Sequence, residues 1–204
     1  MMAQWLDWAI ELQSLAQAGL HYGHDVYDKE RYQRIREIAA EIMAVHADIP
    51  VERVQDLFCN EKGYQTPKLD CRAAIFQDDK ILLVQESNGQ WALPGGWVEV
   101  NLSVKNNTIK EVKEETGLDA IPQRLIALHD RNLHNEPPYA YGICKVFSLC
   151  TVTGGEFHEN SETLGYEYFA QDELPPLMAD KTTVEQVQMC FEAYKDPQWQ
   201  PVFD

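Results

Sequence analysis

The chain has 204 residues, 45% of them hydrophobic, and a formal net charge of −16. That length and apolar content suffice for a domain of moderate size with a smaller companion, whereas the excess negative charge disfavours nucleic acid bound through a basic patch and means that a phosphate ligand needs help from a cation. No run of about 18 uncharged apolar residues occurs and no Lys or Arg precedes an apolar run at the start, and the five cysteines never form a C-x-x-C pair, so the expectation is a reduced, cytoplasmic protein with no membrane partner.

From Trp5 to about Phe58 apolar residues recur at helical spacing: Trp5, Leu6, Ala9, Leu12, Leu15 and Ala16; Tyr32, Ile35, Ile38, Ala39, Ile42 and Met43; Val51, Val54, Leu57 and Phe58. This predicts three helices, punctuated by Gly19 and Gly23, with Asp28 placed to cap the second and Ile49-Pro50 opening the third. Lys29, Arg31, Arg34 and Arg36 crowd the second helix, but this region holds six basic against eleven acidic residues, net −5, so a salt-bridged face or a dimer contact is favoured over nucleic acid. The polar stretch NEKGYQTP then marks a linker, which divides the chain into a helical domain at 1–65 and a second domain at 66–204.

After the linker the period changes. CRAAIF and KILLVQE read as strands of a hairpin joined by QDD, and NGQW offers another turn through Asn88-Gly89. QRLIALHD, YAYGICKVFSLCTV and YEYF are further strands, with Gly154-Gly155 as a tight turn, and a last helix runs from about Thr182 to Tyr194. The second domain is therefore mixed α+β.

At its centre lies a helix from about Val104 to Thr116, with Ser103 as cap and Gly117 as terminator. At 100° per residue Val104, Thr108, Ile109, Val112 and Thr116 share the buried arc, Glu111 and Glu115 project together at its margin, Glu114 lies further round, and Lys110 and Lys113 occupy the far side. The like-charged pair Glu111/Glu115 costs roughly 0.2–0.5 kcal/mol. Acid in the last turn costs about 0.3–1 kcal/mol more against the helix dipole. A divalent cation reverses both terms, since hard carboxylate oxygens are what Mg²⁺ selects; a solvated acidic face is the bland alternative. The upstream loop Leu93-Pro94-Gly95-Gly96 favours the site, because adjacent glycines let backbone approach a ligand or metal.

These residues resemble the Nudix hydrolases, whose signature is G-x5-E-x7-R-E-U-x-E-E-x-G-U. Aligned on Gly96, the chain supplies Glu111, Val112, Glu114, Glu115, Gly117 and Leu118, with Leu93, Pro94, Gly95, Trp97 and Glu99 in keeping; Leu102 replaces the first glutamate and Lys110 the arginine. The resemblance spans roughly Pro67 to Tyr194, and the N-terminal helices resemble the domain that precedes it in a subgroup associated with CDP-choline or ADP-ribose pyrophosphatase activity and with dimers. It implies a Nudix-type mixed β-sheet sandwiched by helices, preceded by a small all-α domain.

The resemblance further implies hydrolysis of the diphosphate of a nucleoside diphosphate linked to another moiety, with CDP-choline first and ADP-ribose or a nucleotide sugar as the alternative. A non-catalytic nucleotide-binding module is the third reading. Mg²⁺, for which Mn²⁺ can substitute, is the implied cofactor, held by Glu111, Glu114 and Glu115 with the carbonyl of Gly95, and a homodimer is the implied assembly. Activation of water wants a further carboxylate, for which Glu162 is chosen, with Glu156, Glu159 and a plain surface loop as the alternatives. Arg72 is either a phosphate or base contact or an outward strand residue, and Trp97, Tyr139 and Tyr141 either stack on the substrate or pack in the core. His129, His134 and His158 show no metal-ligand spacing.

Overall fold

The structure is a computed structural model that describes residues 4–47, 51, 54–55, 59, 62–157 and 163–204. It falls into two compact units, one formed by Met1–Pro67 with Pro138–Gly142, the other by Lys68–Pro137 with Ile143–Asp204. None of the helices among the described residues is long and apolar enough to cross a membrane.

In the first unit, α1 (Gln4–Tyr22) packs on α2 (Val26–Ala47). Close approach is built in at Gly19, where a Cβ would stand 2.5 Å from the ring of Tyr32. The cap of α2 is Asp25, not the expected Asp28: Asp25 Oδ1 accepts the N–H groups of Tyr27 at 2.9 Å and Asp28 at 3.1 Å. Asp25 immediately precedes the first helical turn, where those N–H groups lack intrahelical partners, while Asp28, already inside it, pairs with Arg31. Ala39, Ala40 and Val54 form a small core joined by Ile10, Leu12, Met43 and, from the distant segment 138–142, Ala140. Leu15, expected on the buried side, is 58% exposed. Most of the expected third helix, Val51 to Phe58, lies outside the described residues.

Among the described residues the second unit carries a seven-stranded mixed sheet in the order β3-β2-β1-β5-β4-β7, with β6 also pairing antiparallel to β2. The strands are β1 (Lys68–Gln77), β2 (Lys80–Gln85), β3 (Trp91–Ala92), β4 (Leu118–Asp130), β5 (Ile143–Gly155), β6 (Gly165–Phe169) and β7 (Val202–Phe203). β1 and β2 form the expected hairpin, whose two turn residues Asp78 and Asp79 take positive φ of 51° and 59°, the left-handed pair that matches strand twist. Side chains alternate across β1 and β2, so Ala73, Ile75, Leu82 and Val84 face one layer while Ala74, Ile81 and Leu83 face the other. The first layer is covered by Val112 of α3 (Val104–Thr116) and the second by Val187, Cys190 and Phe191 of a C-terminal helix, Val184–Lys195. Each fully buried Leu or Ile there contributes about 1.5–3 kcal/mol. The sheet thus has helices on both faces, the α+β arrangement expected.

Gly154-Gly155 is not a turn. β5 continues through both residues, which pair with Asp119 and Leu118; a Cβ on Gly155 would sit 2.4 Å from the carbonyl oxygen of Gly117, so glycine serves a close strand approach.

Candidate active site

The acid-bearing helix α3 starts at Ser103, whose Oγ accepts the Asn106 N–H at 3.2 Å, and stops at Gly117, where φ is 72° and the N–H returns to the Lys113 carbonyl. Its buried residues are Asn107, Thr108, Val112, Glu115 and Thr116. Two threonines tolerate that face because their hydroxyls donate back along the helix, Thr108 to Val104 O at 2.8 Å and Thr116 to Val112 O at 2.6 Å. Val104 and Ile109 are only partly buried, so the buried arc is rotated towards the acids relative to the expected one.

The glycine loop causes that rotation. It runs along β1, where Ala73 N–H donates to Pro94 O at 2.8 Å, Cys71 N–H to Gly96 O at 2.8 Å and Val98 N–H to Leu69 O at 2.9 Å. Gly95 holds φ of 139°, and a Cβ there would stand 2.0 Å from the Cys71 carbonyl oxygen. A Cβ on Gly96 would stand 2.7 Å from Glu111 Oε2. The loop therefore lies directly against the acids.

Glu115 is 6% exposed and its Oε2 accepts the Gly95 N–H at 2.8 Å. Burial pushes its carboxyl pKa up to about 8; the Arg72 cation and the Gly95 N–H pull the other way, and the charges of Glu111 and Glu86 add to the rise. Glu111 is half-buried, and its Oε1 accepts the Asn107 amide at 3.2 Å. Glu114 stands apart, exposed, and takes a close hydrogen bond from Lys110. Lys110 does not project to the far side as expected: it bridges Glu114 and Glu99, the latter at 3.3 Å. The Glu99–Lys110 pair ties loop to helix.

Among the described residues no group of three His, Cys, Asp or Glu side chains forms a metal seat. Glu111 and Glu115 form a pair of hard oxygen donors beside the loop, one of them raised in pKa by burial and by neighbouring carboxylates. A divalent cation relieves that excess of negative charge, so the donors present fit such an ion.

Arg72 is placed differently from a substrate contact. It is 5% exposed, grips Asp70 with two hydrogen bonds of 3.0 and 2.7 Å, and donates to Leu93 O at 3.2 Å. Lys145 adds a third contact, 3.2 Å from Asp70. Burial works to raise the Asp70 carboxyl, but the Arg72 and Lys145 cations outweigh it and hold it below its ordinary range. Arg72 is turned inward because β5 pairs alongside β1 and the loop covers its other edge. Its positive charge opposes the rise of the Glu115 carboxyl pKa.

Trp97 is 49% exposed at the end of the loop. Tyr139 and Tyr141 belong to the helical unit, their rings 5.7 Å apart. Glu159 and Glu162 lie outside the described residues, as does His158. The chain on either side of that segment flanks the end of α3: Glu156 O would be 2.1 Å from a Cβ on Gly117, and Thr163 Oγ1 donates to Glu115 O at 2.7 Å. His129 and His134 stack on each other with centroids 3.8 Å apart.

Asn107 is the residue that spacing overlooks. Its amide donates to Trp97 O at 3.0 Å as well as to Glu111, and its carbonyl accepts the Glu99 N–H at 3.0 Å. The available signal was its position four residues before Glu111 and eight before Glu115, on one stripe of the helix.

Sequence profiles match both parts of the chain. One described as a NUDIX domain covers residues 67–189, and one described as a UDP-X-like, N-terminal oligomerisation domain covers residues 3–58. A Bacillus subtilis (strain 168) protein, YjhB, whose name assigns it ADP-ribose pyrophosphatase activity provisionally, is 40% identical over 205 residues, covering 100% of this chain and 99% of that one. The crystal structure of an ADP-ribose pyrophosphatase from Streptococcus suis 89-1591 is 53% identical with a TM-score of 0.64, covering 68% of this chain and 100% of that one. The crystal structure of a UDP-X diphosphatase is 32% identical, also at a TM-score of 0.64, and covers 97% of each chain.

Proposed function

The chain belongs to the Nudix hydrolases, and on that premise we propose that it cleaves the diphosphate of a nucleoside diphosphate joined to a second group, with ADP-ribose as the leading substrate. The observation that carries this reading is the buried Glu115 carboxyl, held by the Gly95 N–H with Glu111 beside it. ADP-ribose takes precedence over the CDP-choline expected from the sequence because the relatives similar to the chain are named for ADP-ribose and UDP-X.

Glu111 and Glu115 would hold Mg²⁺, or Mn²⁺ in its place, with Glu114 joining them only by giving up Lys110. Such an ion supplies charge neutralisation and polarises diphosphate oxygens. The chain's own residues do the rest. Gly95 orients the Glu115 carboxylate through its N–H, the missing side chain of Gly96 leaves room for Glu111, and Asn107 fixes the Glu111 rotamer. Glu162 is proposed to take the proton of the attacking water. The new bond is from water oxygen to one phosphorus, and the bridging oxygen leaves with the other phosphate, giving a nucleoside monophosphate and a phosphate monoester. Trp97 is proposed to contact the base or the second group. We further propose a homodimer formed through the helical unit, which matches an oligomerisation domain.

A turnover screen over ADP-ribose, UDP-sugars and CDP-choline, each with and without Mg²⁺, tests the reading. Metal-dependent release of AMP from ADP-ribose, lost in Glu115→Gln, is expected. Failure to hydrolyse any member of the panel overturns it, and preference for CDP-choline would reinstate the alternative.

A further inference from the structure

A diphosphate brought to this acidic rim wants a protein cation as well as a metal. The cations near the acids in the sheet unit are mostly committed. Arg72 is buried against Asp70 and Leu93 O, and Lys145, 2% exposed, is shared between Asp70 and the Lys181 carbonyl. Arg131, 1% exposed, donates to the carbonyls of Pro137 and Asp180. Lys110 bridges Glu99 and Glu114.

Lys181 is different. Its side chain is 34% exposed, and its ammonium reaches Glu86 Oε1 at 2.6 Å. The backbone beneath it is fixed: Lys181 N–H donates to Met178 O at 2.8 Å, its carbonyl accepts Lys145, and the next residue, Thr182, accepts the Leu93 N–H at 3.1 Å. Leu93 is two residues before Gly95, so this anchor shares the loop that holds Glu115. Glu86 is fixed too, its N–H on Gln90 O at 2.8 Å, while the preceding Gln85 accepts Leu164 N–H at 2.8 Å next to the Thr163 that bonds Glu115. Glu86 stands near enough to Glu115 for their charges to interact. A rigid base, a flexible four-carbon stem and one exchangeable carboxylate partner are what a phosphate-binding lysine needs, and the lysine side of the pair is the more open one, 34% exposed against 13% for Glu86.

We propose that Lys181 is a substrate-binding residue that moves from Glu86 to the diphosphate when substrate enters, Glu86 holding it at the rim in the meantime. The inference rests on the pyrophosphatase reading and deepens it.

Lys181→Met, Lys181→Arg and Glu86→Gln are compared for ADP-ribose kinetics at saturating Mg²⁺, and calorimetry measures their binding of inorganic pyrophosphate with Mg²⁺. Lys181→Met is expected to raise KM about 10-fold and weaken pyrophosphate about as much, with kcat within about twofold and the melting temperature unchanged. Lys181→Arg should recover most of the loss, and Glu86→Gln, which frees the lysine, should not raise KM. Unchanged KM and pyrophosphate affinity in Lys181→Met would overturn the proposal, as would a fall in kcat alone or an equal KM defect in Glu86→Gln, which would make the pair structural. Wild-type protein that fails to hydrolyse ADP-ribose while Lys181→Met loses pyrophosphate binding would sink the substrate reading and leave the lysine's role standing.

Discussion

Glu115 Oε2 lies 2.8 Å from the backbone nitrogen of Gly95, so a buried helix acid and a loop twenty residues earlier in the chain share one hydrogen bond. The bond exists because Gly95 adopts a φ of 139° that brings its backbone against Cys71. Loop shape and acid position are thus a single property of this chain.

Gly95→Ala breaks that property. The added Cβ would meet the Cys71 carbonyl oxygen at 2.0 Å, a backbone atom that cannot rotate away, and the φ value is itself unfavourable for a side chain. A loss of about 3 kcal/mol in urea unfolding and at least a 100-fold fall in kcat are expected. A variant with normal turnover would show that the loop is not held where the structure has it.

Glu115 makes the stability of the metal-free protein depend on pH in a stated direction. Its folded pKa of about 8 lies above the ordinary 4.5, so between those values the folded chain binds the extra proton and stability falls as pH rises. The penalty is absent below about pH 4.5 and complete above about pH 8. Glu115→Gln keeps an acceptor for the Gly95 N–H and removes the charge; it should raise stability at pH 9 by on the order of 4 kcal/mol and leave pH 5 nearly unchanged. Thermal melts in chelator across pH 5 to 9 check this, and a wild-type curve no steeper than the variant's would refute it.

Local pattern makes the acid helix legible: Ser103, Gly117 and the paired glycines each carry a backbone requirement that shows in one residue type. The helical period also announces α1 and α2, and Asp78-Asp79 the hairpin turn. Long-range pairing is not legible in the same way. Arg72 interrupts an apolar run and so looks like a surface or ligand residue, but the parallel neighbour β5 and the covering loop bury it with Asp70. Asn107 looks like one more polar helix residue until the loop supplies Trp97 O and Glu99 N as its partners. Residues 138–142 leave the sheet unit to pack with the N-terminal helices, and no nearby spacing announces it.

Asn107→Ala should damage the site at a distance from any substrate. It strands the Glu99 N–H and Trp97 O and releases Glu111 from its rotamer. A destabilisation of about 2–4 kcal/mol is expected from the lost buried hydrogen bonds, with kcat falling more than KM rises. Recovery of kcat in Asn107→Gln would show that the bond to Glu111 is dispensable.

The exposed face of α1 bears Trp8, Leu15 and Tyr22, seven residues apart and 53%, 58% and 59% exposed. Seven-residue spacing puts them on one stripe, and a stripe of that character suits a second copy of the same helix. Leu15→Glu should convert the homodimer proposed above to monomer in light scattering without changing the melting of the sheet unit. A monomeric wild type would remove the basis for this assembly.

Arg72→Met separates a structural role from a substrate role. If the guanidinium touched phosphate, the substitution would raise KM and leave folding alone. Buried as it is, with two hydrogen bonds to Asp70 and one to Leu93 O, its removal leaves Asp70 with Lys145 as its cation. Breaking a buried pair from one side costs about 3–5 kcal/mol. Arg72 also lowers the Glu115 pKa, so its loss should shift any activity that requires ionised Glu115 to higher pH. Urea unfolding together with a pH profile of kcat decides the matter: a large stability loss with an alkaline shift is expected, and a stable variant with only a raised KM would return Arg72 to the substrate.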